Sequence, residues 1–185
     1  IKGTAKRLIS PIDDEKIASD LSRDEKERAE NVMIVDLVRN DLSKTAKMGS
    51  VQVEELCKVY SFKQVHQMIS TVISEVDPNL HPVEIIRSTF PMGSMTGAPK
   101  VSAMKIIEQL EETKRGLYSG AVGYFTPEND FDFNVVIRSI LYDQEKEYIS
   151  YSVGGAITAK SIPENEYEEC LLKAKAMKQV LVSSN

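Results

Sequence analysis

The sequence predicts an α+β domain. Segments of helical period and segments of alternating period both occur, without the regular βαβ alternation of a doubly wound sheet. The chain has 185 residues, 42% of them hydrophobic and 28% charged. A chain of that size can bury roughly 70% of the surface its unfolded form exposes, which is enough for a core. No internal repeat, low-complexity stretch or Gly/Ser/Pro linker interrupts it, so it is read as one unit, residues 1–185.

The elements follow in order. A helix is predicted over 24–41. Ser22-Arg23-Asp24-Glu25 gives a capping-box pattern at its start, and Ala29, Val32, Met33 and Leu37 form an apolar stripe. The period then changes. Val51-Gln52-Val53 and 56–62 read as extended, and 65–76 alternates and is rich in Ile, Val and Thr, as a half-buried strand is. A short helix is predicted over 82–89, with Pro82 in its first turn. The loop from Phe90 to Ala98 leads into a helix opening at Pro99, with Val101, Met104, Ile107 and Leu110 on one face. Strands are predicted over 120–125, 134–142 and 147–153. A long helix from Pro163 to about Val182 closes the chain, burying Tyr167, Leu171, Ala174, Met177 and Leu181.

Charge and composition exclude several classes. The net charge is −5, from 23 Lys+Arg against 28 Asp+Glu, and a nucleic-acid protein needs a basic face. No apolar run approaches the roughly 18 residues of a membrane span, and no charged start leads into an apolar signal segment. Cys57 and Cys170 are far apart and match no metal or redox spacing. They read as reduced thiols, and the protein as cytoplasmic.

Several groups of residues are able to carry chemistry. Glu27 and Glu30 are spaced i,i+3 on one helix, and Glu166 and Glu169 repeat the spacing on another. Such pairs are either solvated surface carboxylates or oxygen ligands for a hard cation such as Mg²⁺. The loop Gly93-Ser94-Met95-Thr96-Gly97-Ala98-Pro99-Lys100 feeds a helix N-terminus. It is either an anion cradle or a tight turn, and it lacks the Gly-Lys-Ser/Thr of a P-loop. Gly154-Gly155 at a strand end permits either close ligand approach or a bulge. Arg138 interrupts an apolar strand, so it must be paired or face a cavity. Lys2 by itself reads as a surface residue. His66 reads as structural, and His81 has no ligand-like spacing.

Taken together, these segments resemble the chorismate-utilising enzymes, the family of anthranilate synthase component I, aminodeoxychorismate synthase component I, isochorismate synthase and salicylate synthase. The resemblance rests on Ile1-Lys2-Gly3-Thr4, on the stretch from Asp24 to Asn31, and on Val35 to Leu42. It continues through Phe90 to Val101, Arg115 to Tyr124, Ile137-Arg138-Ser139, Gly154 to Ile157 and Pro163 to Glu169, and runs to about Met177. It implies a chorismate-binding fold of the anthranilate synthase component I type, with two packed β-sheets flanked by helices.

The resemblance also implies roles. Glu30 and Glu169 match Mg²⁺ ligands, with Glu27 and Glu166 as supporting carboxylates. The ion would clamp the ring carboxylate of chorismate. The backbone at Gly154, Gly155 and Ala156 would contact the same carboxylate. Tyr118, Arg138 and Lys173 would hold substrate carboxylates, and Thr4 and Thr96 would line the pocket. Lys2 distinguishes among members, because anthranilate synthases carry Ala in this segment and the aminodeoxychorismate-forming branch carries Lys. In that branch the uncharged lysine amine attacks ring C2 as the C4 hydroxyl leaves. Ammonia from a glutamine amidotransferase subunit then adds at C4 and expels the lysine. The product, 4-amino-4-deoxychorismate, is destined for 4-aminobenzoate and folate. Lys2 is thus the expected catalytic residue. An anthranilate-forming enzyme, or a chorismate-binding module without turnover, is the alternative.

Three positions depart from the family pattern. Gln67 stands where relatives usually carry His, Ala156 replaces a Gly, and Lys160 stands where Asp is common. The family also places a general-acid Glu in a Ser-Pro-Glu segment upstream of Ile1. The chain is therefore expected to be the C-terminal part of a chorismate-binding catalytic domain, unable to complete its active site alone.

Overall fold

The computed structural model describes residues 1–63, 65–159 and 161–182. They form two compact units, Ile1–Glu111 and Glu112–Asn185, with no linker composition to mark the division.

The first unit contains strand β1 (Thr4–Lys6), helices α1 (Pro11–Arg23) and α2 (Glu25–Ser43), strands β2 (Gln52–Ser61) and β3 (Val65–Ile73), and helices α3 (Pro82–Thr89) and α4 (Lys100–Leu110). A single 3-10 turn, Gly93–Met95, precedes α4. The strands form an antiparallel sheet in the order β1-β3-β2. Cross-strand partners share a face, so Ala5, His66 and Ser61 lie on one side, and Thr4, Gln67 and Tyr60 on the other. Between Glu55 and Lys58 the register shifts, and Cys57 there has φ 53. That bulge turns the buried Cys57 into a core shared with Leu21 and Met68. Each fully buried side chain of this size stabilises by about 2 kcal/mol.

Helix α1 was not anticipated, and it alters the reading of the next helix start. Ser22 belongs to α1 and bonds back to the Ser19 carbonyl. Asp24 is the N-cap of α2, accepting from the Glu27 N–H at 2.8 Å. The buried face of α2 is also not the expected one. Asn31, Ile34, Val35 and Asp41 point inward. The predicted stripe of Ala29, Val32, Met33 and Leu37 instead lines an open groove of about 970 Å³ with Ala98, Pro99 and Val101. Helix α2 is apolar on two sides, so periodicity could not choose between them.

A polar chain runs beneath the sheet. Asp14 in α1 accepts from Arg7 Nε at 3.0 and 2.9 Å, from the Leu8 N–H at 2.7 Å, and from His66 Nε2 at 3.0 Å. Hydrogen bonds from Arg7, and next from Leu8, hold the Asp14 carboxyl well below the usual carboxylate range. His66 Nε2 donates to that carboxylate, and its Nδ1 is hydrogen-bonded with Ser61 Oγ at 2.8 Å. His66 is buried and structural, as its position in the alternating strand suggested.

The second unit contains strands β4 (Ala121–Phe125), β5 (Phe131–Val135), β6 (Leu141–Asp143) and β7 (Tyr148–Ser150), then helix α5 (Pro163–Val182). β4 pairs with β5 and β6 with β7, both antiparallel. Phe125, Phe131 and Phe133 cluster on one face of the first pair. The predicted strand over 134–142 is interrupted. The Ile137 N–H bonds to the Val135 carbonyl at 3.0 Å, and that tight turn ends the ladder. Helix α5 begins at Pro163 as predicted, but of its expected buried face only Met177 is buried, and Tyr167 and Leu171 are exposed.

The class is α+β, as predicted. Both cysteines are free, and no helix among the described residues is long and apolar enough to cross a membrane.

Candidate active site

In the first unit the candidate residues gather where the segment before β1 meets the start of α2. Lys2 follows the strand path, donating its N–H to the Met68 carbonyl at 3.2 Å. Its ammonium lies 3.9 Å from Glu30 Oε2, with both side chains about one-fifth exposed. Glu27 sits one turn earlier, against Gly3. A Cβ at Gly3 would stand 3.3 Å from Glu27 Oε2 and 3.0 Å from Met68 Cβ, and Gly3 has φ 97. Glycine is required there on both counts. Thr4 is the next residue on the open face of the sheet and pairs directly with Gln67. The chain's departure from the family pattern at Gln67 therefore falls beside an expected substrate contact.

Thr96 is engaged within its own loop. Its Oγ1 bonds to the Met92 and Gly93 carbonyls, closing the turn before α4. Pro99 is the N-cap of α4 and not its first helical residue. Lys100 is turned onto buried Asp41 at 2.5 Å and onto the Thr89 carbonyl at 3.1 Å. The loop is accounted for as a tight turn with its lysine in an internal ion pair.

In the second unit, Tyr118, Gly154, Gly155, Glu166, Glu169 and Lys173 come together. Lys173 donates to the Gly154 carbonyl at 3.0 Å and pairs with Glu169 at 2.6 Å. A Cβ at Gly154 would lie 2.8 Å from the Tyr118 hydroxyl, and one at Gly155 would lie 3.1 Å from Glu166 Oε2. The Gly pair is neither at a strand end nor a bulge. It lies past β7, in extended chain without regular structure, and gives room to a hydroxyl and a carboxylate. Ala156 follows, half-buried, its carbonyl near Ser161 Oγ at 3.5 Å. Lys160 lies outside the described residues.

Arg138 is corrected most. It is not a strand residue among apolar neighbours but an exposed residue at φ 51 in the break between β5 and β6. The signal missed was the short-range turn, which an apolar run does not reveal.

Glu30 and Glu169, the two expected metal ligands, each carry a lysine partner, Lys2 and Lys173. Within each unit taken by itself, no group of three or more His, Cys, Asp or Glu stands together among the described residues. The expected carboxylates are Glu27 and Glu30 in the first unit and Glu166 and Glu169 in the second. Carboxylate oxygens are the donor type that suits a hard divalent ion such as Mg²⁺.

One residue escaped the sequence reading. Asn31 is buried and donates to the Lys2 carbonyl at 3.1 Å and to the Met68 carbonyl at 3.3 Å. Its signal was present, a polar residue at helical spacing from Ile34, Val35 and Val38.

Comparison with known proteins gives a consistent result. The family described as chorismate binding enzyme matches residues 1–179. The chloroplastic aminodeoxychorismate synthase of Arabidopsis thaliana is 47% identical over 176 residues, covering 95% of this chain and 19% of that protein. Anthranilate synthase component 1 of Aquifex aeolicus is 40% identical over 181 residues, covering 98% of this chain and 36% of that one. The crystal structure of anthranilate synthase component I from Streptococcus pneumoniae superposes with a TM-score of 0.75 at 37% identity, over 94% of this chain and 39% of that one. This chain thus spans well under half the length of these relatives.

Proposed function

The chain belongs to the chorismate binding enzyme family, and from that premise we propose that it serves amination of chorismate to 4-amino-4-deoxychorismate, with Lys2 as the covalent nucleophile. The observation that carries the reading is Lys2 itself, in an Ile-Lys-Gly-Thr segment, with its amine beside Glu30. The Lys2 nitrogen bonds to ring C2 while the C4 hydroxyl leaves. Ammonia then bonds to C4 as the C2–nitrogen bond breaks, so one hard displacement becomes two easier ones. A glutamine amidotransferase subunit would supply the ammonia. Tyr118, Arg138, Lys173 and the Gly154–Ala156 backbone would hold substrate carboxylates, with Thr4 and Thr96 along the pocket. The protein would work in the cytoplasm.

Glu30 and Glu169, backed by Glu27 and Glu166, would hold Mg²⁺. Bound there, the ion supplies positive charge that neutralises and orients a substrate carboxylate. Lys2 and Lys173 would give up their ion pairs to it.

The test is product identification by mass from chorismate, ammonia and Mg²⁺ with the full-length protein, alongside Lys2→Ala. A product retaining the enolpyruvyl group, lost in Lys2→Ala, supports the reading. Anthranilate as product, or an unchanged rate in Lys2→Ala, sinks it. The anthranilate-forming alternative draws on the likeness to anthranilate synthase component 1.

A further inference from the structure

We infer that Asn31 is a positioning residue for Lys2, setting where the lysine amine stands by holding its main chain. This rests on the reading of Lys2 as the reacting amine.

Asn31 is 2% exposed, in the second turn of α2. Its Nδ2 donates to the Lys2 carbonyl and to the Met68 carbonyl, which also accepts the Lys2 N–H. Its Oδ1 accepts from the Ser70 hydroxyl at 2.5 Å. Ser70 Oγ in turn accepts the N–H of Cys57 at 2.8 Å, at the left-handed bulge of β2. The amide is therefore oriented as well as bonded. The Ser70 hydroxyl fixes which end is oxygen, so the two N–H donors must face the two carbonyls.

The adjacent residue, Glu30, faces the Lys2 ammonium at 3.9 Å. Helix α2 thus holds the Lys2 main chain through Asn31 and presents Glu30, one residue earlier, to the Lys2 side chain. A lysine side chain has four rotatable bonds and reaches a defined place only if its base is fixed. Asp at position 31 would set a carboxylate against two carbonyls. Leu would match the volume and hold neither.

The experiment uses the full-length protein with Asn31→Leu, Ser70→Ala, Ser70→Thr, Lys2→Ala and, as a core control, Leu21→Ala. Misplacement of a reacting group by about 1 Å costs on the order of a hundredfold in rate. Asn31→Leu is expected to lower kcat by about 10- to 100-fold while KM stays within about threefold. Ser70→Ala should lose part of kcat and Ser70→Thr, which keeps the hydroxyl, should restore it. Leu21→Ala, destabilised in the same core, should keep its kcat. Wild-type kcat in Asn31→Leu while Lys2→Ala is inactive overturns this inference alone. Equal kcat losses in Asn31→Leu and Leu21→Ala overturn it as well. Should Asn31→Leu fail to fold, equal kcat in Ser70→Ala and Ser70→Thr overturns it. Full turnover by Lys2→Ala overturns both this inference and the function it rests on.

Discussion

The Lys100 ammonium, from the first residue of α4, lies 2.5 Å from Asp41 Oδ2, while Lys44 reaches the other oxygen at 2.9 Å. The Asp41 side chain is 6% exposed and that of Lys100 12%, but that of Lys44 is 46% exposed. The two lysines are therefore unequal. Asp41→Ala should destabilise by about 3 kcal/mol, because it leaves a buried ammonium unpaired. Lys44→Met should cost about 1 kcal/mol or less, as exposed pairs do. Urea unfolding of both variants measures the contrast, and equal losses would contradict it.

Gly93 packs directly on α2. A Cβ there would lie 2.7 Å from Leu37 Cγ, closer than side chains approach. Gly93→Ala should cost about 1–3 kcal/mol by overpacking. Leu37→Ala should remove most of that cost, so the double-mutant cycle should show coupling of about 1 kcal/mol or more. Additive losses would mean that the loop and α2 are not in contact.

The Gly154 clash is specific to one atom. A Cβ would meet the Tyr118 hydroxyl at 2.8 Å, whereas the ring carbon behind it is 3.9 Å away. Gly154→Ala should lower the melting temperature and weaken chorismate binding. In a Tyr118→Phe background the same substitution should be nearly neutral to stability. Thermal unfolding of the four proteins decides it.

Asp14 makes stability depend on acid. Its folded carboxyl titrates below the ordinary value of 3.8. The unfolded chain therefore binds the proton first, and the stabilisation is fully present above about pH 4 and lost as pH falls further. Asp14→Asn should melt lower than wild type at pH 7, and the gap should narrow steadily below pH 4. A gap that widens in acid would refute the assignment.

For the carboxylates, chelation should abolish chorismate turnover and added Mg²⁺ restore it. Glu30→Gln and Glu169→Gln should lose activity at any practical Mg²⁺ concentration. Glu166→Gln should raise the Mg²⁺ needed for half-maximal rate by about tenfold, as supporting groups at metal sites do. Titration of rate against Mg²⁺ reads all three, and turnover indifferent to chelation would remove the metal from the reading.

Much of the fold was legible in local pattern. Helix α3 and helix α5 begin at Pro82 and Pro163, as the proline rule requires, and β3 follows the alternation from Val65. The failures have separate causes. Helix α1 also opens on a proline, Pro11, with Asp13 and Asp14 in its first turn, but Leu21 is its one buried apolar residue, so its pattern does not mark a core face. Arg138 was read into a strand because apolar neighbours continue past the Ile137 turn. At the candidate site, Glu30 and Glu169 were marked by carboxylate spacing, whereas Lys2 and Lys173 came from family motifs, since a lysine near a terminus or on a helix carries no mark of its own.

Local pattern along the chain sets the kinds and order of most elements and the carboxylate spacing. Backbone repeat alone places Glu27 with Glu30, and Glu166 with Glu169, on one helical face. Long-range packing settles which side of α2 turns inward, that Asn31 holds the Lys2 carbonyl, and that Gly154 makes room for Tyr118. Those are contacts between residues some 29 to 36 positions apart. Helical or strand period sets which neighbours within a turn or two share a face. Partner choice across such distances depends on which segments the folded core brings together, and an apolar surface on both sides of a helix leaves that choice to the rest of the chain.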